Sequence, residues 1–462
     1  MKFISLDGTG KNIITDGIIN LYYEDIPKTF DNIRNILKKK NISQKDILTL
    51  ECINSVPTAI LILYFLHYGY SFLLIPEQKE KQLLPVFCKY RISVRDIDSD
   101  ENLDFDHFFN ISENKRWRET GRQFSETLYL KTSGSTGKAK MAVYSHKKLI
   151  GNALNCVNRL NIQSSNRIAI PVPIYHMFGL GAAFLPAIIA GASIDLQKGA
   201  NLLRYLDRER KFKPDMVFMT PVFCETLVKG RKAERFYKLT VSAGDRLREK
   251  TFDKYESMFG SIVQLYGSTE MGAIASASSD DSSEIRRVTA GKPMDGVKLH
   301  IEDGELLCFH KHSFESYMDE QGEMIYNKQN GWFPTKDLGR IMQDGSIEVL
   351  GRSDQSINRH GLLVFLSDIE KTIESIEGID CAVATASKEN MRGKDIILHC
   401  LVDTANGINE QYIKNACFDM LPKNAIPDHV KIVTSFPLLA NGKIDRQKLN
   451  RMFYKNTGGE IA

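Results

Sequence analysis

The chain has 462 residues, 42% hydrophobic and 26% charged, ordinary proportions for a globular protein and length enough for about three domain-sized units. Its 61 basic and 57 acidic residues leave a net charge of +4, an excess too slight to support nucleic-acid binding as the main activity.

Asp7 and Gly8 interrupt the start before a signal-peptide stretch can develop. The apolar run 59–66 is too short to span a bilayer, and 179–194 is broken by Gly179, Gly181, Pro186 and Gly191. A cytosolic protein without a membrane span is expected, with 179–194 as a buried core segment. Cys52, Cys88, Cys156, Cys224, Cys308, Cys381, Cys400 and Cys417 form no CxxC or CxxH pair and read as reduced, buried thiols.

In chain order, 47–50 reads as a strand, 55–68 as a helix and 71–75 as a strand. Residues 128–131 form a strand leading into the loop 132–140, after which a helix is expected. Over 145–160 the residues Leu149, Ile150, Ala153, Leu154, Val157 and Leu160 share one helical face. Short apolar strands follow at 168–172, 216–219 and 262–266, then a solvated polar connector at 276–284. A domain boundary is placed at 351–354, behind the strand 347–350; strands 381–386 and 396–402 and a helix 410–421 lie beyond it. The expected class is α/β: a large N-terminal domain of mixed sheets packed with helices, residues 1–352, and a small α+β C-terminal domain, residues 353–462.

The loop Thr132-Ser133-Gly134-Ser135-Thr136-Gly137-Lys138-Ala139-Lys140 has the composition of an anion cradle. Glycines let backbone N–H groups approach phosphate oxygens, hydroxyls add donors and lysines add charge. A surface turn has similar composition. A Walker A loop is ruled out, because the positions that need a further glycine and a Ser or Thr after Gly-Lys hold Thr132 and Ala139. A dinucleotide fingerprint at 179–184 fails because Phe184 fills its last glycine position.

With the motifs that follow it in order, this loop resembles the signature of the adenylate-forming superfamily of acyl-CoA synthetases, adenylation domains and luciferases. Tyr266-Gly267-Ser268-Thr269-Glu270 resembles the family's YGxTE segment, which implies Tyr266 stacked on adenine, Thr269 on a phosphate and Glu270 holding Mg²⁺. Ser242-Ala243-Gly244-Asp245 resembles the loop beside adenine and the acyl pocket, and Gly291-Lys292-Pro293 a structural motif. Gly331-Trp332-Phe333-Pro334-Thr335-Lys336-Asp337 resembles GWFxTGD, with Asp337 implied as the ribose ligand. Lys336 replaces the family's glycine, which bears on the local turn or adds a cation near the nucleotide. Gly351-Arg352-Ser353-Asp354 resembles the hinge, with Arg352 near the ribose and Asp354 as the pivot of a mobile small domain. Asn358, Gly361 and Leu363 stand where the family usually has basic residues around a glycine, so the second half-reaction is the step this departure touches. Lys443, in Asn441-Gly442-Lys443-Ile444, resembles the catalytic lysine, a mobile point charge.

The implied nucleotide site is Thr132, Ser133, Gly134, Ser135, Thr136, Gly137, Lys140, Gly244, Asp245, Tyr266, Gly267, Ser268, Thr269, Asp337, Arg352 and Lys443, with Lys443, Thr136 and Glu270 catalytic. His176, Phe178, Val222, Ser242, Ala243 and Gly267 are implied to line the acyl pocket. The resemblance implies ATP, Mg²⁺ and coenzyme A, or the phosphopantetheine of an acyl carrier protein, with a small carboxylic acid as substrate and room for a homodimer. An acid–thiol ligase making an acyl-CoA is favoured, with a carrier-protein ligase or standalone adenylation enzyme as the alternative. A nucleotide- and acyl-binding protein without turnover is the reading from a different class. The apolar segments 174–184 and 220–224 suggest an aromatic or medium-length apolar acid.

Overall fold

Helix Val56–Tyr68 shows why the chain layers as it does: every residue from Val56 to Leu66 is buried, so it has no solvent face and must be covered on all sides. Ser55 caps its first turn and Gly69, at φ 74°, ends it. The computed structural model describes residues 11–77, 83–94, 108–119, 125–132, 140–199, 201–231, 233–326, 328, 330–353, 356–359, 362–386, 395–403, 407–439 and 443–457. The chain divides into one unit of Met1–Leu299, Cys308–Phe333 and Gln343–Ile347, and a second of His300–Leu307, Pro334–Met342 and Glu348–Ala462.

The first unit carries two large sheets among its described residues. One, of nine strands, runs Lys292–Pro293, Gly272–Ser276, Ile262–Ser268, Leu239–Ala243, Met216–Met219, Arg167–Ile170, Ser193–Leu196, Ile13–Thr15, Asn20–Tyr22. The other, of eight, runs Met324–Ile325, Ser316–Met318, Lys140–Ser145, Thr127–Thr132, Phe72–Pro76, Leu48–Cys52, Tyr90–Val94, Phe109–Glu113. Their central strands pair in parallel, as expected where strands alternate with covering helices. One apolar core takes side chains from both sheets and from Val56–Tyr68.

Two expectations are corrected. The loop 132–140 does not enter a helix: strand Lys140–Ser145 pairs antiparallel with Thr127–Thr132 first, and helix His146–Arg159 begins only after it. Met141, Ala142, Val143 and Tyr144 are all buried, so the alternation that marks a half-exposed strand is missing. The polar segment 276–284 is partly built into structure. Ser276 ends a strand fully buried, and Ser282 caps helix Ser283–Val288 by accepting from Ile285 N at 3.3 Å.

The segment 179–194 is buried core as expected, forming a π-helix Phe178–Phe184, a helix Leu185–Ala190 and the start of a strand. All eight cysteines are buried and unbridged. Among the described residues no helix is long and apolar enough to cross a membrane.

In the second unit, strands Ile379–Ala386, Ile396–Val402 and His429–Ile432 form a sheet, covered by helices Leu366–Glu374 and Glu410–Met420 through Ile369, Ile373, Ile413 and Cys417. Helix Arg446–Thr457 sets Leu449 against Cys381 and Val383.

Candidate active site

Thr132 and Lys140 face each other across the antiparallel pair, and Thr132 Oγ1 donates to Lys140 O at 3.2 Å. The two ends of the glycine-rich loop are therefore clamped together. Ser133, Gly134, Ser135, Thr136 and Gly137 lie outside the described residues. The described residues on either side of this loop are strands, so the groups the loop sequence offers an anion are amides, hydroxyls and lysines.

Strand Ile262–Ser268 carries Tyr266, Gly267 and Ser268, and the turn to strand Gly272–Ser276 holds Thr269 and Glu270. Register shifts between Tyr266 and Gly267, and a Cβ on Gly267 would lie 2.3 Å from Gly272 O, so only glycine fits. Tyr266 packs half-buried against the core. Glu270 is fixed along its length: its carbonyl accepts from Tyr144 Oη at 2.6 Å and Phe314 N at 2.8 Å, and its Oε1 from Tyr317 Oη at 2.8 Å. Tyr144 also reaches Thr269 O at 3.0 Å. Lys140 Nζ stands 5.8 Å from the Tyr317 ring centre. Burial pushes His310 down to about 4, so its neutral ring donates from Nδ1 to Met271 O at 2.6 Å. Thr132, Lys140, Thr269 and Glu270 are thus brought together. Tyr144, Phe314 and Tyr317 complete the arrangement and carried no motif signal beyond their aromatic character.

Around the implied acyl pocket, Ser242 and Ala243 are buried at the end of strand Leu239–Ala243, followed by Gly244 at φ 99° and an exposed Asp245. Val222 is half-buried in the first turn of helix Pro221–Gly230. His176 is half-buried with its ring 4.5 Å from that of Tyr175, and Phe178 lies 6.2 Å from Phe218. Two buried asparagines hold this segment. Asn54 donates to Val172 O at 2.8 Å and accepts from Ile174 N at 3.0 Å. Asn152 donates to Gly181 O at 3.1 Å and accepts from Ala273 N at 2.8 Å, tying the π-helix to the hairpin that carries Glu270.

In the second unit, Asp337 Oδ1 lies 3.6 Å from Arg352 Nη1, so these two implied ribose neighbours do meet. Lys336 adopts the left-handed conformation, φ 60°, where the family has glycine. Two bonds hold that turn: Lys336 N donates to Glu305 Oε1 at 2.7 Å, and Lys336 O accepts from Ser353 Oγ at 3.1 Å. The turn is therefore preserved without its glycine. Lys336→Gly is expected to leave stability level or raise it by up to ~1 kcal/mol, whereas Lys336→Val lowers it by ~1 kcal/mol or more. Denaturant unfolding checks this, and a loss with glycine would mean that the lysine side chain itself carries a stabilising contact.

Lys443 is exposed, with Leu439 N donating to Lys443 O at 2.8 Å and a bridge joining Leu438 and Ile444. Asp445 then caps helix Arg446–Thr457, accepting from Lys448 N at 2.9 Å. Arg446 pairs with the buried carboxylate of Glu370 and donates to Ala384 O at 2.8 Å. Asp354, Asn441 and Gly442 lie outside the described residues, as do the side chains of Asn358 and Leu363.

Among the described residues no cluster of three or more His, Cys, Asp or Glu could cage a metal. A single carboxylate such as Glu270 suits Mg²⁺ that arrives on nucleotide phosphates and keeps part of its water shell.

A model of the family of AMP-binding enzymes matches residues 67–330. Bacitracin synthase 3 of Bacillus licheniformis is 24% identical over 93% of this chain, which spans 7% of that protein's length. Indoleacetate–CoA ligase of Aromatoleum aromaticum is 22% identical over 71% of this chain and 67% of its own. The crystal structure of ATP-bound MatB from Rhodopseudomonas palustris has the same fold, with a TM-score of 0.80 at 18% identity over 98% of this chain and 97% of its own.

Proposed function

The chain belongs to the family of AMP-binding enzymes, and on that premise we propose that it joins a carboxylic acid to AMP and passes the acyl group to a thiol, coenzyme A before a carrier protein. The observation that carries this is the anchoring of Glu270: its carboxylate is bonded to Tyr317, whose ring centre lies 5.8 Å from Lys140 Nζ at one of the clamped ends of the glycine-rich loop. The substrate carboxylate attacks the α-phosphorus and pyrophosphate leaves; a thiol sulfur then attacks the acyl carbon and AMP leaves.

Loop residues Thr132–Gly137 and Lys140 bind the phosphates, and Lys443 supplies positive charge where it builds up in the transition state. Mg²⁺ bound at Glu270 would screen the leaving pyrophosphate. Tyr266, Gly244 and Asp245 border the base, Asp337 and Arg352 the ribose. His176, Phe178, Val222, Ser242, Ala243 and Gly267 surround the acyl group. Their largely apolar character, with a relative named for indoleacetate, supports an aromatic or medium-length apolar acid; the cytosol is the proposed place of the reaction.

Pyrophosphate exchange with a panel of aryl and fatty acids, repeated with coenzyme A and with a carrier protein, tests the assignment. ATP binding without exchange on any acid would favour a non-catalytic binder, the reading that Lys336, Asn358 and Leu363 motivate. We further assign Asp354 as the pivot between the two half-reactions. Asp354→Pro is expected to spare adenylation within about twofold and lower thioester formation by ~10-fold or more; an unchanged overall rate would remove the pivot.

A further inference from the structure

We propose that Tyr317 is a positioning residue that aims the Glu270 carboxylate at the metal carried by the nucleotide; this rests on the reading of Glu270 as the metal-facing group. Tyr317 Oη donates to Glu270 Oε1 at 2.8 Å from a side chain that is 8% exposed. A glutamate on a turn has three side-chain torsions to order, a cost that falls on the ligand when nothing else has ordered them. A rigid buried phenol does that ordering in advance. By occupying Oε1 it also turns the other carboxylate oxygen toward the incoming cation.

The tyrosine is itself well anchored. Its strand, Ser316–Met318, pairs with the strand that leaves the glycine-rich loop, Tyr317 opposite Ala142. Phe314 packs edge-on against its ring at 4.9 Å, and the amide of Phe314 holds the Glu270 carbonyl at 2.8 Å. Residues 314–317 therefore fix both ends of Glu270 relative to strand Lys140–Ser145. The ring has a second neighbour. With Lys140 Nζ 5.8 Å from its centre, the ammonium lies within reach of the aromatic face.

The test is Mn²⁺ binding to the full chain with ATP present and no acid substrate, followed by electron paramagnetic resonance. Tyr317→Phe keeps the ring and its contacts with Phe314 and Lys140 and removes only the hydroxyl. It is expected to weaken Mn²⁺ by about 10-fold. In pyrophosphate exchange the same variant should raise the apparent KM for Mg²⁺ while kcat at saturating Mg²⁺ stays within about twofold. Glu270→Gln should weaken Mn²⁺ at least as much, and adding Tyr317→Phe to it should change nothing further, since the hydroxyl acts through the carboxylate. Unchanged Mn²⁺ affinity in Tyr317→Phe, with Glu270→Gln impaired, overturns the positioning role alone. Unchanged affinity in Glu270→Gln removes the reading on which it rests. Tyr317→Leu, lacking the ring as well, is expected to lose ATP affinity in addition; if it matches Tyr317→Phe in both affinities, the ring plays no part in placing Lys140.

Discussion

Lys443→Ala is expected to lower pyrophosphate exchange by ~10²–10³-fold while leaving thiolysis of a supplied acyl-adenylate within about twofold of the parent. The asymmetry follows from where charge develops. In adenylation, negative charge grows on the phosphorus oxygens and on the departing pyrophosphate, and a cation placed there is worth a few kcal/mol of barrier. In thiolysis the charge grows on an acyl oxygen and leaves with AMP, so a lysine serving the first step has no equivalent task. The second unit suits a lysine that is presented and withdrawn. The chain beside it is held by the Leu439–Lys443 bond and by the Asp445 cap, while Lys443 itself is exposed. Lys443→Arg should remain well below the parent, because a planar fork does not replace a compact ammonium at a crowded phosphate. Equal losses in both steps would make Lys443 a structural residue.

Much of this arrangement is legible in the chain before folding, and the parts that are not have physical reasons. Strand 216–219 and strand 396–402 keep their boundaries, and helix Val56–Tyr68 begins one residue after the expected start because Ser55 is its cap. The strand after the glycine-rich loop is hidden because burial on both faces erases alternation, leaving an apolar run that merges with the helix behind it. Lys336 shows a different limit. Nothing in a lysine announces a left-handed backbone; the bonds from Glu305 and Ser353 that hold it come from distant positions. Tyr144, Phe314 and Tyr317 carry no motif signal, and only their convergence on Glu270 reveals a polar task.

Glu370→Ala is expected to destabilise the second unit by ~3 kcal/mol and, through it, to depress adenylation beyond the fraction of protein unfolded. Glu370 is 7% exposed; its Oε1 accepts from Ala384 N at 2.8 Å and from Arg446 Nη1, and its Oε2 accepts from Arg446 Nη2 at 3.1 Å. Removing the carboxylate takes one partner from a half-buried guanidinium and leaves a strand amide without its acceptor, which costs more than losing an exposed pair would. Arg446 is the first residue of the last helix and stands three places after Lys443, so the same carboxylate that stabilises the unit also fixes the chain that follows the lysine. Glu370→Gln separates the two roles. It can still accept from Ala384 N, so about half or less of the stability loss is expected, while the weakened grip on Arg446 should still lower exchange several-fold. Urea unfolding alongside pyrophosphate exchange, at a temperature where both variants remain folded, decides the matter. Parent-like stability in Glu370→Ala would show that the ion pair only offsets its own desolvation. Parent-like exchange in Glu370→Gln would show that the lysine is held by its own bonds and needs no anchor at Arg446.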